Sequence, residues 1–96
     1  MPTYIALLNW TDQGIGKVKA SPKRLDAGKK AFLKEGCEMK EVFLTMGPYD
    51  LVCVVEAPDA GAMAKLMLSL ASDGNVRTLT MPAFTEDEYR KIIGSL

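Results

Sequence analysis

The alternation of apolar and polar residues along the chain predicts four β-strands. Residues 3–10 (TYIALLNW) are apolar on both alternating faces, with Asn9 and Trp10 pointing in opposite directions, and residues 50–56 are also apolar on both faces. A strand that is apolar on both sides needs cover on both sides, which places these two strands at the centre of a sheet. The remaining strands are predicted at residues 38–46 and 75–81.

The first helix is predicted from its end signals and from 3.6-residue spacing. Ser21 followed by Pro22 is typical of an N-cap and a first helical position, so a helix is expected over residues 21–35, with Gly36 as its stop. The side chains expected to point inward are Leu25, Ala31 and Phe32.

Two further helices follow from the same kinds of signal. Asp59 is the expected cap of the second, which ends at the sequence Ser-Asp-Gly over residues 72–74. Thr85 and Glu88 have the spacing of a capping box, so a short terminal helix is predicted to about Ile93. The apolar stripe of the second helix comprises Ala60, Met63, Ala64, Leu66, Met67, Leu68, Leu70 and Ala71.

The element order β-α-β-β-α-β, with an extra C-terminal helix, predicts an α+β, ferredoxin-like fold. In this arrangement a four-stranded antiparallel sheet carries both crossover helices on one face, and the polar, glycine-containing residues 11–19 form a connection. A chain of 96 residues has room for one domain, so residues 1–96 are treated as a single unit.

The other face of this sheet has no cover within the chain. Its apolar residues therefore predict a homo-oligomer, most simply a dimer in which two sheets stack face to face. The alternative is a monomer whose terminal segment folds over that face.

The amino-acid composition excludes several kinds of functional site. The chain has no histidine, so it cannot hold zinc or haem through imidazole or use a histidine-activated nucleophile, and we expect no metal and no cofactor. Twelve basic side chains balance twelve acidic ones, which gives no global field for nucleic acid or an anionic membrane. No segment approaches the ~18 apolar residues of a membrane span, and none resembles a signal peptide. The expected location is the cytoplasm.

Three local features have ordinary structural interpretations. Basic residues between Lys17 and Lys34 could bind phosphate or an acidic partner, but without interleaved aromatic residues they are typical of a solvated helix face. The Gly14–Lys17 segment is not a phosphate-binding loop, because it lacks the other residues of that motif. Cys53, within an apolar strand, is expected to be a small buried hydrophobe, and Cys37 would be reactive only if exposed near a cation.

Several segments in order resemble the bacterial GYD-domain family: MPTYIALLNWTDQGI, SPKRLDAGKKAF, GPYDLVCVVEAPD and GNVRTLTMPAFTEDE. The Gly-x-Tyr-Asp motif of that family falls on Gly47, Pro48, Tyr49 and Asp50. The resemblance runs over nearly the whole chain and implies a dimeric α+β barrel built from ferredoxin-like domains. It implies no particular biochemical function.

Topology indicates where binding chemistry would be found. In a ferredoxin-like sheet the third and fourth strands both start near the end of the first, which gathers polar and aromatic side chains at one end. Such groups can orient a polar aromatic or carboxylate-bearing ligand. Alternatively, Gly47 and Pro48 form a simple hairpin, and Asp50 accepts turn amides or pairs with Arg77. The predicted ligand-binding residues are Asn9, Trp10, Tyr49, Asp50 and Arg77, with Asp12 and Asn75 nearby.

Two functions of different classes are compatible with these residues. The first is a homo-oligomeric module that binds a small organic ligand without catalysis. The second is a cofactor-independent enzyme, of monooxygenase or isomerase type, acting on a small aromatic or lactone-like substrate. There Asp50 or ionised Tyr49 would be the base, and Arg77 or Asn9 would hold an oxyanion. A nucleic-acid-binding regulator is disfavoured by the balanced charge.

Overall fold

The computed structural model describes residues 1–96, whose four strands form one antiparallel sheet. The strand order is β2-β3-β1-β4, so the two strands predicted to be apolar on both faces do occupy the centre. The strands are β1 (Thr3–Trp10), β2 (Glu38–Leu44), β3 (Leu51–Glu56) and β4 (Val76–Ala83).

Four α-helices accompany the sheet, and three of them were predicted. Thr85 and Glu88 form the expected capping box at the start of the last helix, and Asp59 Oδ1 accepts a hydrogen bond from the Ala62 N–H at 2.8 Å. None of the helices is both long and apolar enough to cross a membrane. The helices are α1 (Asp12–Gly16), α2 (Ser21–Lys34), α3 (Ala60–Ser72) and α4 (Glu86–Gly94).

The strand register shows which residues lie on the helix-covered face of the sheet and which lie on the open face. Ala6 lies between Cys53 and Thr80 on the face that α2 and α3 cover, whereas Leu7 lies between Val52 and Leu79 on the opposite, open face. Side chains alternate between faces along each strand, so this register assigns each paired strand residue to one face. The buried core lies entirely on the helix-covered side: Tyr4, Ala6, Leu8, Phe32, Cys37, Cys53, Val55, Ala57, Met63, Leu66, Met67 and Val76.

The connection over residues 11–19 contains a short helix that the sequence pattern does not predict. Residues 12–16 form α1, and residues 18–20 form a 3-10 turn that runs directly into α2. Ser21 has helical φ and ψ angles of −55° and −43°, so it is the first residue of α2 and not its cap. A helix of five residues containing two glycines has little stability of its own, so contacts with the rest of the chain must hold it in place.

Four residues predicted to lie on inward-facing stripes are exposed: Ala31 of α2, and Ala60, Ala64 and Leu68 of α3. Leu68 is 72% exposed because the buried stripe of α3 centres on Met63, Leu66 and Met67, which leaves Leu68 on the outer side. Ala31 is exposed because it faces the space between α2 and α3 rather than the sheet.

Both edge strands of the sheet are irregular. In β2 a bulge between Met39 and Glu41 leaves Lys40 without a partner in the register. In β4, Pro82 stands opposite Tyr4. Proline is tolerated in a sheet at an edge, where the missing N–H can face away from the neighbouring strand.

The attachment of α1 depends on Gly14. The Thr11 N–H donates to the Asn75 carbonyl at 3.1 Å, and the Thr11 hydroxyl caps α1 by accepting from the Gly14 N–H at 3.1 Å. A Cβ added to Gly14 would lie 1.9 Å from the Asn75 oxygen, whereas one added to Gly16 would meet nothing within 4 Å. Only glycine at position 14 therefore allows the end of β1 and the start of β4 to be joined in this way.

Replacing Gly14 with alanine should lower the free energy of unfolding by about 2–3 kcal/mol, because the added methyl group forces α1 away from Asn75 and breaks its hydrogen bonds. Urea unfolding of Gly14→Ala measures this change. Gly16→Ala is the matched control and should change stability by less than about 1 kcal/mol. Equal effects of the two substitutions would contradict the assigned contact.

Candidate functional site

The structure separates the five predicted ligand-binding residues into groups. Trp10 pairs with Val76 on the helix-covered face, whereas Asn9 and Arg77 stand opposite each other on the open face. Tyr49 lies in the loop between β2 and β3. These side chains share one end of the sheet, as predicted, but they do not line one common cavity.

Asp50 ties the end of β1 to the start of β3. Its Oδ2 accepts from the Trp10 N–H at 3.0 Å, and its own N–H donates to the Leu8 carbonyl at 2.9 Å. The Asp50 carbonyl in turn accepts from the Thr45 N–H at 2.8 Å. Asp50 thus accepts a backbone amide from β1 rather than the turn amide of the structural alternative, and it makes no ion pair with Arg77.

The Gly-Pro-Tyr-Asp segment builds the turn between β2 and β3. Gly47 has a φ of +155°, which L side chains rarely adopt, so glycine relieves strain at this point of the turn. The Thr45 hydroxyl donates to the Tyr49 carbonyl at 2.6 Å and closes the loop. Gly47 and Asp50 therefore have clear structural roles in holding strand ends together.

A groove of about 320 Å³ lies between α2 and α3, above the helix-covered face of the sheet. It exists because α2 presents small residues to α3, namely Ala27, Gly28 and Ala31, which leave the space between the two helices unfilled. The apolar floor includes Leu8, Trp10, Phe32, Leu51, Leu66 and Val76. Of the five predicted residues, only Trp10 lines this groove.

Arg24 lies at the rim of the groove in a fixed position. Its Nη1 donates to the Lys17 carbonyl at 3.0 Å and its Nη2 to the Gly14 carbonyl at 3.5 Å, so α1 and the 3-10 turn orient the guanidinium. The basic residues between Lys17 and Lys34 predict a solvated face, and the position of Arg24 departs from that prediction. The available signal was its spacing from Gly28 and Ala31, which places all three on one side of α2.

The opposite rim is formed by Ser69, Asp73 and Asn75, and it is also held by α1. Gln13 Nε2 donates to the Asp73 carbonyl at 3.1 Å and to Asn75 Oδ1 at 3.0 Å. Gly74, at a φ of +84°, makes the turn between α3 and β4. Hydrogen bonds from α1 thus hold the Asn75 side chain and the Asp73 backbone at this rim.

The two cysteines are free and buried. Burial raises the pKa of the Cys37 thiol, and the nearby carboxylates of Glu35 and Asp59 raise it further. Burial also raises the pKa of Cys53 to about 11, against a smaller opposing effect of Lys29. Both thiols stay protonated at neutral pH, which makes them poor nucleophiles.

Comparison with solved structures supports the fold. A protein from Thermus thermophilus is 26% identical with a TM-score of 0.57, and the match covers 88% of this chain and 95% of that one. The feast or famine regulatory protein from M. tuberculosis, solved with L-methionine, has a TM-score of 0.66 at 18% identity. That match covers 88% of this chain, which spans about half the length of the regulator (51%).

Comparison of sequences identifies the family. A protein of T. thermophilus named glutamine synthetase and cystathionine beta-lyase binding protein is 39% identical over 84 residues, covering 86% of this chain and 88% of the relative. The GYD domain model matches residues 4–93. With its ferredoxin-like sheet and its Gly-x-Tyr-Asp turn, the chain belongs to the GYD-domain family.

Proposed function

We propose that this protein is a self-associating binding module that takes a small organic ligand in the groove between α2 and α3. The observation that carries the proposal is the groove itself, which combines an apolar floor containing Trp10 with an ordered polar rim. Small-ligand sites commonly have this composition, a mostly apolar lining with a few placed polar groups.

Binding without catalysis accounts best for the groups present. The rim of the groove offers hydroxyl, amide, guanidinium and carboxylate groups, all suited to recognition. The Asp50 carboxylate, the candidate base of an enzymatic function, already accepts the Trp10 N–H. The buried, protonated thiols add no nucleophile, and free thiols are usual in the reducing cytoplasm, where we place the protein.

Among the residues predicted from sequence, Trp10 is retained as a direct ligand contact. Asp50 has an indirect role: its carboxylate accepts a hydrogen bond from the Trp10 N–H and so fixes the backbone that carries the indole. Asn9, Tyr49 and Arg77 lie outside the lining of the groove and remain predictions for a ligand at the sheet end.

Self-association is proposed through the open face of the sheet. Leu79 (49% exposed) and Phe43 (51% exposed) lie on this face without cover. A second copy of the same face supplies matching apolar chemistry, as two-fold symmetric interfaces do. The apolar set comprises Ile5, Leu7, Phe43, Val52, Val54, Leu79 and Met81.

Charge placement on the open face fits pairing of two copies. The acidic residues Glu41 and Glu56 lie toward one corner of the face, and Arg77 lies at the opposite corner, with the apolar residues between them. A face with an uncharged centre and oppositely charged corners can pair with a copy of itself.

Light scattering at micromolar concentration should give a mass at least twice 10.5 kDa for the wild type. Leu79→Lys should weaken association by more than about ten-fold, because the lysine charge would be buried in the interface. Leu68→Lys, an equally large change on the outer side of α3, should leave the mass unchanged. A monomeric wild type would refute self-association.

The groove is tested by filling it at Gly28, where an added Cβ meets nothing within 4 Å. Trp10 is the only tryptophan, so its fluorescence reports binding of small aromatic and aliphatic acids, amines and alcohols. Gly28→Ala should stabilise the fold by about 0.5–1 kcal/mol and keep binding, whereas Gly28→Leu should keep the fold and lose binding.

Ligands that bind Gly28→Leu as tightly as the wild type would show that the groove is not their site. Mass spectrometry of each ligand after incubation distinguishes binding from the alternative, enzymatic function, because only an enzyme would convert the ligand to product.

Binding of an enzyme partner is a second candidate function, favoured by the name of the T. thermophilus relative. The surface we assign to it is the apolar stripe of α4, formed by Tyr89, Ile92 and Ile93 and continued by Leu96 just after the helix. Every residue from 84 to 96 is exposed, and a nine-residue helix is only marginally stable unless a partner covers it.

Purified glutamine synthetase and cystathionine β-lyase, immobilised in turn, should bind the wild type. Ile92→Asp should weaken that binding by about ten-fold or more, since it places a carboxylate in the apolar stripe. Leu68→Asp serves as the control for an exposed leucine elsewhere. Undiminished binding by Ile92→Asp would exclude α4 as the docking surface.

A further inference from the structure

We propose that the ligand of the groove carries a carboxylate, which Arg24 binds while the apolar body of the ligand packs on Trp10. This inference rests on the proposed ligand-binding function of the groove and adds the chemical class of the ligand. It also assigns a specificity role to Arg24, which sequence reasoning placed on a solvated face.

Arg24 has hydrogen-bonding capacity that the protein leaves unused. A guanidinium has five N–H donors, and the hydrogen bonds of Arg24 go to two backbone carbonyls, those of Lys17 and Gly14. The three ion pairs of the chain, Glu38–Lys40, Glu35–Lys65 and Glu86–Arg90, do not include it. The half-buried charge therefore lacks an anion from the protein itself.

A carboxylate is the group that best satisfies such a guanidinium. Its two oxygens match the planar N–H pairs of arginine, and the charge-assisted hydrogen bonds are stronger than neutral ones. The carbonyls that hold Arg24 reduce the side-chain entropy lost on binding, since the guanidinium is already oriented.

The charges at the mouth of the groove orient the ligand. Arg24 and Ser21 lie at the N-terminal end of α2, which carries the positive end of the helix dipole. Asp73 lies at the C-terminal end of α3 and makes no ion pair with Arg24. An anionic group is thus favoured on the α2 side and opposed on the α3 side.

The floor of the groove determines what kind of apolar body the ligand can have. Trp10 and Phe32 offer aromatic surface, and Leu8, Leu51 and Leu66 complete an apolar bed. A volume of about 320 Å³ is at the small end of ligand pockets. The geometry fits a compact aromatic or branched aliphatic acid.

The test uses three probes that share one apolar frame and differ in charge: 3-phenylpropanoate, 3-phenylpropanamide and 3-phenylpropan-1-amine. Trp10 fluorescence titrations of the wild-type protein should show the carboxylate binding about ten-fold tighter than the amide, and the amine binding weakest. Arg24→Gln should bind the carboxylate and the amide equally, and Arg24→Lys should restore part of the preference.

Two controls distinguish a loss of carboxylate recognition from a loss of the folded groove. Lys23→Gln removes the neighbouring positive charge and should preserve the preference for the carboxylate. Arg24→Gln should keep the wild-type affinity for the amide and a cooperative thermal transition, which shows that the groove persists without the Arg24 hydrogen bonds.

The outcomes also separate this inference from the proposed function. If the carboxylate and the amide bind the wild type equally and Gly28→Leu abolishes the binding of both, the role of Arg24 is overturned. The groove would then still be the ligand site. Tighter binding of the amine would likewise overturn it, as would failure of all three probes to bind. Binding that survives in Gly28→Leu would refute the groove as the site, and with it the proposed function.

Discussion

The constraint on which the structure depends is that β1 and β3 are apolar on both faces, while the chain forms only one helix layer. On the covered face, Ala6 and Val55 are completely buried beneath α2 and α3. On the other face, Ile5 and Val54 form the same kind of surface with nothing above it. In our proposal the covered side holds the ligand between two helices and the open side associates with a second copy. The two proposed surfaces lie on opposite faces of the sheet and would not compete.

The turn that contains the family motif stabilises the end of the sheet nearest the groove. Gly47 provides a conformation that L side chains disfavour, and Asp50 bonds to the backbone of Leu8 and Trp10 on β1. Because Trp10 also forms part of the groove floor, these contacts connect the motif to the candidate site through the backbone. The motif thus acts on the site by positioning it, although Tyr49 and Asp50 lie outside the lining.

The sheet could be predicted from sequence because strand periodicity is a local signal that burial enforces. The central position of β1 and β3 in the sheet follows from their apolar residues on both faces. The opposite directions of Asn9 and Trp10 follow from the alternation of side chains along a strand. The short helix α1 could not be predicted, since it depends on the contact of Thr11 with Asn75, more than sixty residues away. The groove was missed for a related reason: its width depends on where α2 lies relative to α3, which helical spacing alone does not determine.

The irregular edges of the sheet bear on how copies of this protein can grow into larger assemblies. Strand addition at an edge has no natural end, because each added sheet offers a fresh edge to the next. The bulge at Lys40 and the proline at position 82 make both edges poor templates for such addition. Contacts between faces related by a two-fold axis close on themselves instead. The edge defects therefore disfavour open-ended growth by strand addition, which suits the closed, two-fold pairing that we propose.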